Sequence, residues 1–139
     1  MSFLQSQIKN PTRSLAEANK GSAVVLTKGF LLEMVAGLAI LADSSTVVAG
    51  VLGVCNKDIA AADAETIVPY IELFQNDVWV ADSTNNSDAT HNGQKMVLGT
   101  NAGIVNNTGT TSATGIVQQV GVYGAAADKK ILVRFLNTA

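Results

Sequence analysis

From Ala23 onward the chain is a series of short apolar runs cut by Gly, Asn, Asp, Ser and Thr, the pattern of strands joined by turns. The runs predict strands near 23–27, 30–35, 38–42, 50–56, 66–74, 78–82, 95–99, 103–106, 115–123 and 130–136. Turn residues cluster at Lys28-Gly29, at 43–46, at 75–77, at 101–103 and through 106–114. Alternation is clearest at the end of the chain, where Ile131, Val133 and Phe135 share one face and Leu132, Arg134 and Leu136 the other. Both faces carry apolar groups, which predicts a central or covered strand. Pro69 has no N–H to donate, so its strand is expected at a sheet edge or bulged there. The one helical candidate, 59–65, allows two turns at most. Strand pieces every 8–12 residues predict a mainly β fold, a single small β-barrel or β-sandwich domain with little helix.

Residues 1–21 read differently. Phe3, Leu4 and Ile8 follow no regular period, and Pro11 interrupts any helix begun before it. Ser14 and Glu17 have capping-box spacing, and Gly21 suits the end of one or two helical turns. This stretch is expected to be an N-terminal extended arm that orders on a neighbouring subunit, with the β domain at 22–139. Within that domain, residues 82–93 hold nothing apolar beyond Ala89 and predict a solvated loop.

Laid over itself at a shift of 65, the chain echoes without a gap over 50–70 and 115–135. Gly50-Val51-Leu52 matches Gly115-Ile116-Val117, and Ala60-Ala61-Ala62-Asp63 matches Ala125-Ala126-Ala127-Asp128. Ile67, Val68 and Tyr70 match Leu132, Val133 and Phe135. The echo describes one unit used twice: a strand, a connection ending in Ala-Ala-Ala-Asp, and a second strand.

Composition sharpens the picture. The chain is 47% hydrophobic but only 5% aromatic, so its core is aliphatic. Charged residues make up 14%, against an ordinary value of about a quarter, and Thr, Asn, Ser and Gly supply the polarity. Such a surface suits a protein that is packed against others. The net charge is −2, with no basic stripe, which excludes nucleic acid as an expected partner. Residues 1–21 carry three cations against one anion, and the remainder six against ten, so a basic arm sits on an acidic body. The apolar run from Phe30 to Ala42 contains Glu33 and Gly37 and is too short to span a bilayer, so no membrane role is expected. The N-terminus is polar from its fifth residue and predicts no export signal. A single cysteine, Cys55, leaves no internal disulfide and fits assembly in the cytoplasm.

Catalysis needs a nucleophile, base or metal within reach of one another. The one histidine, His91, falls in the polar loop, and Cys55 ends an apolar strand. No glycine pattern builds a phosphate cradle. Asp82 to Asp88 offers oxygen ligands but lacks the ligand alternation, central Gly and distal Glu of a calcium loop. Asp63 with Glu65, and Asp128 beside two lysines, read as turn charges. Trp79, Tyr70 and Phe74 read as core fillers, with a sugar platform as the alternative. The chain is expected to be no enzyme and to hold no cofactor or metal.

Several ordered segments are similar to a known class. The run 50–68 (GVLGVCNKDIAAADAETIV) resembles phage capsid cement proteins. The later runs 78–82, 92–99, 106–115, 116–122 and 130–135 resemble head decoration proteins of tailed phages. The likeness covers roughly residues 50–136 and rests on the ordered set, since no one motif carries chemistry. It implies a structural virion protein on the outer surface of the expanded capsid, made in the host cytoplasm. There it cements neighbouring copies of the major capsid protein, commonly as a homotrimer. Phe3, Leu4, Ile8, Lys9 and Arg13 are then the expected capsid-binding arm, adding a strand or filling a groove. The competing expectation is a head-fibre or tail-associated module that binds host carbohydrate through aromatics near Trp79. A tail-tube or connector subunit and a small hydrolase rank below it.

Overall fold

The computed structural model describes residues 3–5, 15–22, 24–63, 66–74, 77–108 and 114–136. Eleven strands are present among them: β1 (Phe3–Gln5), β2 (Leu15–Asn19), β3 (Leu31–Val35), β4 (Leu38–Leu41), β5 (Val51–Cys55), β6 (Ile67–Glu72), β7 (Trp79–Ser83), β8 (Lys95–Met96), β9 (Ile104–Val105), β10 (Val117–Val122) and β11 (Lys130–Phe135). The helical pieces are three single 3₁₀ turns, at Val48–Gly50, Ala89–His91 and Ala126–Asp128. The protein is mainly β, as the short apolar runs require.

Two sheets form. The first runs β1-β7-β11-β10-β8, with β9 parallel to β7; the second runs β2-β6-β5-β3-β4. The second sheet curls until its edges meet. Lys20, just past β2, bridges in parallel to Ala39 on β4, and the Gly21 N–H donates to the Ala39 C=O at 3.0 Å. The result is a nearly closed five-stranded barrel. A Cβ at Gly21 would lie 2.8 Å from the Ile40 side chain, so the closure point needs a residue without one.

Strict alternation makes the barrel wall serve two cores. Leu32, Ala39, Cys55 and Val68 turn inward and pack with Leu26 and Ile59. Leu31, Val54 and Leu73 turn outward and pack against Trp79, Ala81, Val117, Ile131, Val133 and Phe135 of the first sheet and its neighbours. Each fully buried large side chain contributes about 1.5–3 kcal/mol. Trp79 anchors the second core, its ring edge-on to Phe135 at 6.0 Å and 83°.

Most predicted strands sit where the pattern placed them, and β11 is central, between β7 and β10. Four local expectations are corrected. Leu15–Asn19, expected within one or two helical turns of the arm, is a strand. Five residues pair with β6 from Leu15↔Ile71 to Asn19↔Ile67, and this ladder outweighs a helix too short to be stable alone. The predicted strand at 23–27 reduces to the bridge Leu26↔Ile59. The predicted helix at 59–65 is, over its described residues 59–63, a bridge residue followed by a turn. Pro69 lies in β6, which is flanked by β2 and β5 and is not an edge. Pro69 stands opposite Asn56, just past the last β5 pair, Cys55↔Tyr70: its C=O accepts from the Asn56 N–H at 3.0 Å, but it has no N–H to return, and the ladder ends there.

The sequence echo has a structural counterpart. In both copies the Ala-Ala-Ala-Asp segment closes the same reciprocal turn. Ala60 N–H donates to Asp63 Oδ2 at 2.9 Å and Asp63 N–H to Ala60 C=O at 3.1 Å. Ala125 N–H donates to Asp128 Oδ2 at 3.1 Å and Asp128 N–H to Ala125 C=O at 3.0 Å. Each turn joins an antiparallel pair, β5 with β6 and β10 with β11. The registers differ, however: Val54 faces Ile71, whereas Gln119 faces Val133 and not Leu136. A bulge between Gln119 and Gly121 accompanies the second pairing.

Two substitutions test this packing. A Cβ at Gly53 would sit 2.5 Å from the Ile71 carbonyl oxygen and from the Tyr70 ring, so Gly53→Ala is expected to cost about 1–3 kcal/mol in a urea melt. The β3–β4 hairpin turns on Ala36 and Gly37, both at positive φ (52° and 81°). Ala36→Gly relieves the left-handed strain and is expected to stabilise the protein by about 1 kcal/mol.

Candidate functional site

The chemistry-bearing side chains are dispersed. Cys55 faces the barrel interior, where its thiol donates to the Lys57 C=O at 3.0 Å and burial pushes its pKa up. Both features disfavour a reactive thiolate. His91 lies in the 3₁₀ turn over the other sheet, with Asp88 Oδ2 at 3.8 Å from its Nε2. Asp63 is used in its turn, and Asp82 pairs with Lys130 at 2.6 Å across the β7–β11 ladder. Among the described residues no three of His, Cys, Asp or Glu group as a metal site. Trp79 is 1% exposed, which takes its indole out of any surface platform.

The expected solvated loop is more tightly stitched than its composition suggested. Ser83 is buried, and Asn107, 1% exposed, holds the next three residues. Its Oδ1 accepts from the Asn85 N–H at 2.8 Å and the Thr84 hydroxyl at 3.2 Å, and its Nδ2 donates to the Asn85 and Asn86 carbonyls. Farther on, Asp88 caps the 3₁₀ turn, accepting from the Thr90 N–H at 2.8 Å and the Thr90 hydroxyl at 2.7 Å. These two bonds, the hydroxyl's first, hold the Asp88 carboxyl below its ordinary value of 3.8. From beneath, Gln119 on β10 donates to the Asp88 C=O and to Asn92 Oδ1, each at 2.9 Å. The polar run expected as a loop begins inside β7, at Asp82 and Ser83, and two buried amides outside the run, Asn107 and Gln119, hold the residues that follow. One signal was available in the sequence: Gln119 falls in phase with Val117 on the inward face of its strand.

Apolar side chains are exposed on both sheets. On the barrel, Met34, Val35 and Leu38 stand out on the β3–β4 hairpin, with Leu15 and Ile67 on β2 and β6. Met34, Gly37, Ile67 and Tyr70 line a shallow groove of about 270 Å³ beside Glu17. On the other sheet, Val120 and Val122 of β10 and the adjoining Tyr123 are exposed. β8 pairs with β10 only at Val117 and Gln118, so the apolar stretch continues past its neighbour. Exposed apolar groups therefore lie on both sheets.

Of the expected arm residues, Phe3 and Leu4 belong to β1, whose backbone pairs with Ala81 and Val80 of β7. Ile8, Lys9 and Arg13 lie outside the described residues. No protein-family model matches the chain, and no curated protein matches it in sequence.

Two outcomes follow for the loop. Asn107→Ala leaves several backbone groups without their partner and is expected to cost about 1–3 kcal/mol, with hydrogen exchange accelerating at the Asn85 amide. The Asp88 cap favours the ionised carboxylate, so its contribution is present above pH 3.8 and is lost as pH falls through the lower folded value. Exchange at the Thr90 amide should therefore be slow in the native protein and fast in Asp88→Ala near neutrality, and the difference should shrink in acid below 3.8.

Proposed function

We propose that the protein is a non-enzymatic decoration protein that binds the outer surface of an expanded phage capsid and cements neighbouring major capsid subunits. The observation that carries this reading is the exposure of apolar groups on both sheets of a chain with only 14% charged residues. Exposed apolar groups of this kind mark surfaces that are covered in the working state. Groups on separate sheets suit a molecule that touches two neighbours. The resemblance of residues 50–136 to phage cement and head decoration proteins supplies the class of partner.

The mechanism is contact. Expansion of a capsid creates joints between capsomers, and a protein that buries apolar surface across a joint stabilises the expanded form by linkage. Many copies placed by symmetry multiply a modest contact, and a trimer over a threefold position is the arrangement we propose. The N-terminal segment carrying Phe3, Leu4, Ile8, Lys9 and Arg13 adds to the grip, with β1, an end strand of its own sheet, offering its outer edge to a strand of a capsid subunit. No cofactor takes part, and the protein resides on the virion surface.

Cosedimentation with purified capsids tests the proposal. The protein is expected to pellet with expanded capsids and to remain in the supernatant with unexpanded ones. Deleting residues 2–13 removes the end strand β1 but spares β2, and hence the barrel; it is expected to weaken pelleting at least tenfold while the protein still unfolds cooperatively in urea. Leu38→Lys and Val122→Lys, one on each sheet, should each weaken it further. Equal pelleting with both capsid forms, or no pelleting with either, contradicts the reading.

A further inference from the structure

Beneath the Asp88–Gln94 turn, hydrogen-bond acceptors outnumber donors. Gln119 is 0% exposed, and its Nε2 donates both hydrogens, to the Asp88 C=O and to Asn92 Oδ1. The carbonyl can only accept, so the amide orientation is determined and Gln119 Oε1 points elsewhere. That oxygen is buried without a hydrogen bond. Gln119 N–H donates to the Gln94 C=O at 3.1 Å, which sets Gln94 beside it on the adjoining segment, and Gln94 Oε1 is buried and unpartnered as well. His91 completes the group. Its C=O accepts from the Gln94 N–H at 3.0 Å, its Nε2 looks toward Asp88, and its Nδ1 is buried without a partner. Buried polar atoms without partners are rare in native proteins, and three of them, two in the turn and one on β10 beneath it, call for a common explanation.

We propose that this turn encloses one bound water molecule, held by Gln94 Oε1, Gln119 Oε1 and His91 Nδ1. A water has two hydrogens to give, and three acceptors would leave one unsatisfied. The balance closes when His91 Nδ1 carries hydrogen: Nδ1–H donates to the water oxygen, and the water donates to the two glutamine oxygens. Three hydrogen bonds is the usual complement of a buried water. A metal ion is disfavoured by a set containing no carboxylate and one N–H donor. The site also directs the chain's one histidine. With the hydrogen on Nδ1, Nε2 is the bare ring nitrogen, on the side of Asp88. This inference is independent of the capsid reading.

With a single histidine in the chain, the test is direct. Long-range ¹H–¹⁵N correlation spectra of the full-length protein above pH 8 report which ring nitrogen carries hydrogen, and water cross-relaxation experiments report a long-lived water beside the Gln119 side-chain amide. The expected result is the Nδ1–H tautomer together with that water signal. In Gln94→Leu, with the amide spectrum outside the loop unchanged, the water signal should fall away and the tautomers should mix. An Nε2–H tautomer in the native protein overturns the proposal. So does a direct bond between His91 and either glutamine, with no water signal. If Gln94→Leu does not fold, the native spectra decide by themselves.

Discussion

One wall separates two cores, and the rest of the molecule follows from it. β3, β5 and β6 must present apolar side chains to both of their faces, because Leu32, Cys55 and Val68 fill the barrel while Leu31, Val54 and Leu73 meet the Trp79 sheet. Adjacent residues of one strand thus belong to different clusters. A slip of one residue in any of these pairings would exchange the two sets and place the wrong volumes in each core. The barrel closure at Lys20 and Gly21 is the condition for this arrangement, since an open sheet would leave Leu32, Ala39 and Val68 in water.

Much of this was legible in the chain because aliphatic period-2 patterns are local. The strands β3 to β7, β10 and β11 lie where short apolar runs put them, and the two-faced apolar character of β11 identified a central strand. What escaped prediction depended on partners distant in sequence. Leu15–Asn19 has no strand signature of its own and becomes one only against β6. Pro69 signalled an edge because a proline removes a donor, yet it sits inside the sheet at the point where the β5 ladder ends, so only the last reciprocal bond, to Asn56, is lost. The polar run from Asp82 starts within β7, and its later residues are held by Asn107 and Gln119, which contribute nothing to the local pattern.

The candidate surface divides in the same way. Low charge and few aromatics pointed toward contact; in the structure Cys55 faces the barrel interior and His91 lies over the other sheet. The positions of the exposed apolar groups could not be read beforehand, since Met34, Val120 and Val122 have the same residue types as the core. Only the strand order tells which of them a neighbour covers. In the reading advanced here, those uncovered positions are where a capsid subunit completes the fold's unsatisfied apolar faces.

The most direct measurement of that reading is an image reconstruction of expanded capsids saturated with the purified protein. The account predicts added density on the outer shell, over the joints between capsomers, with the β3–β4 hairpin and the Val120–Tyr123 stretch turned toward capsid subunits. Density confined to the tail or portal, or a shell identical to the undecorated one, would contradict it.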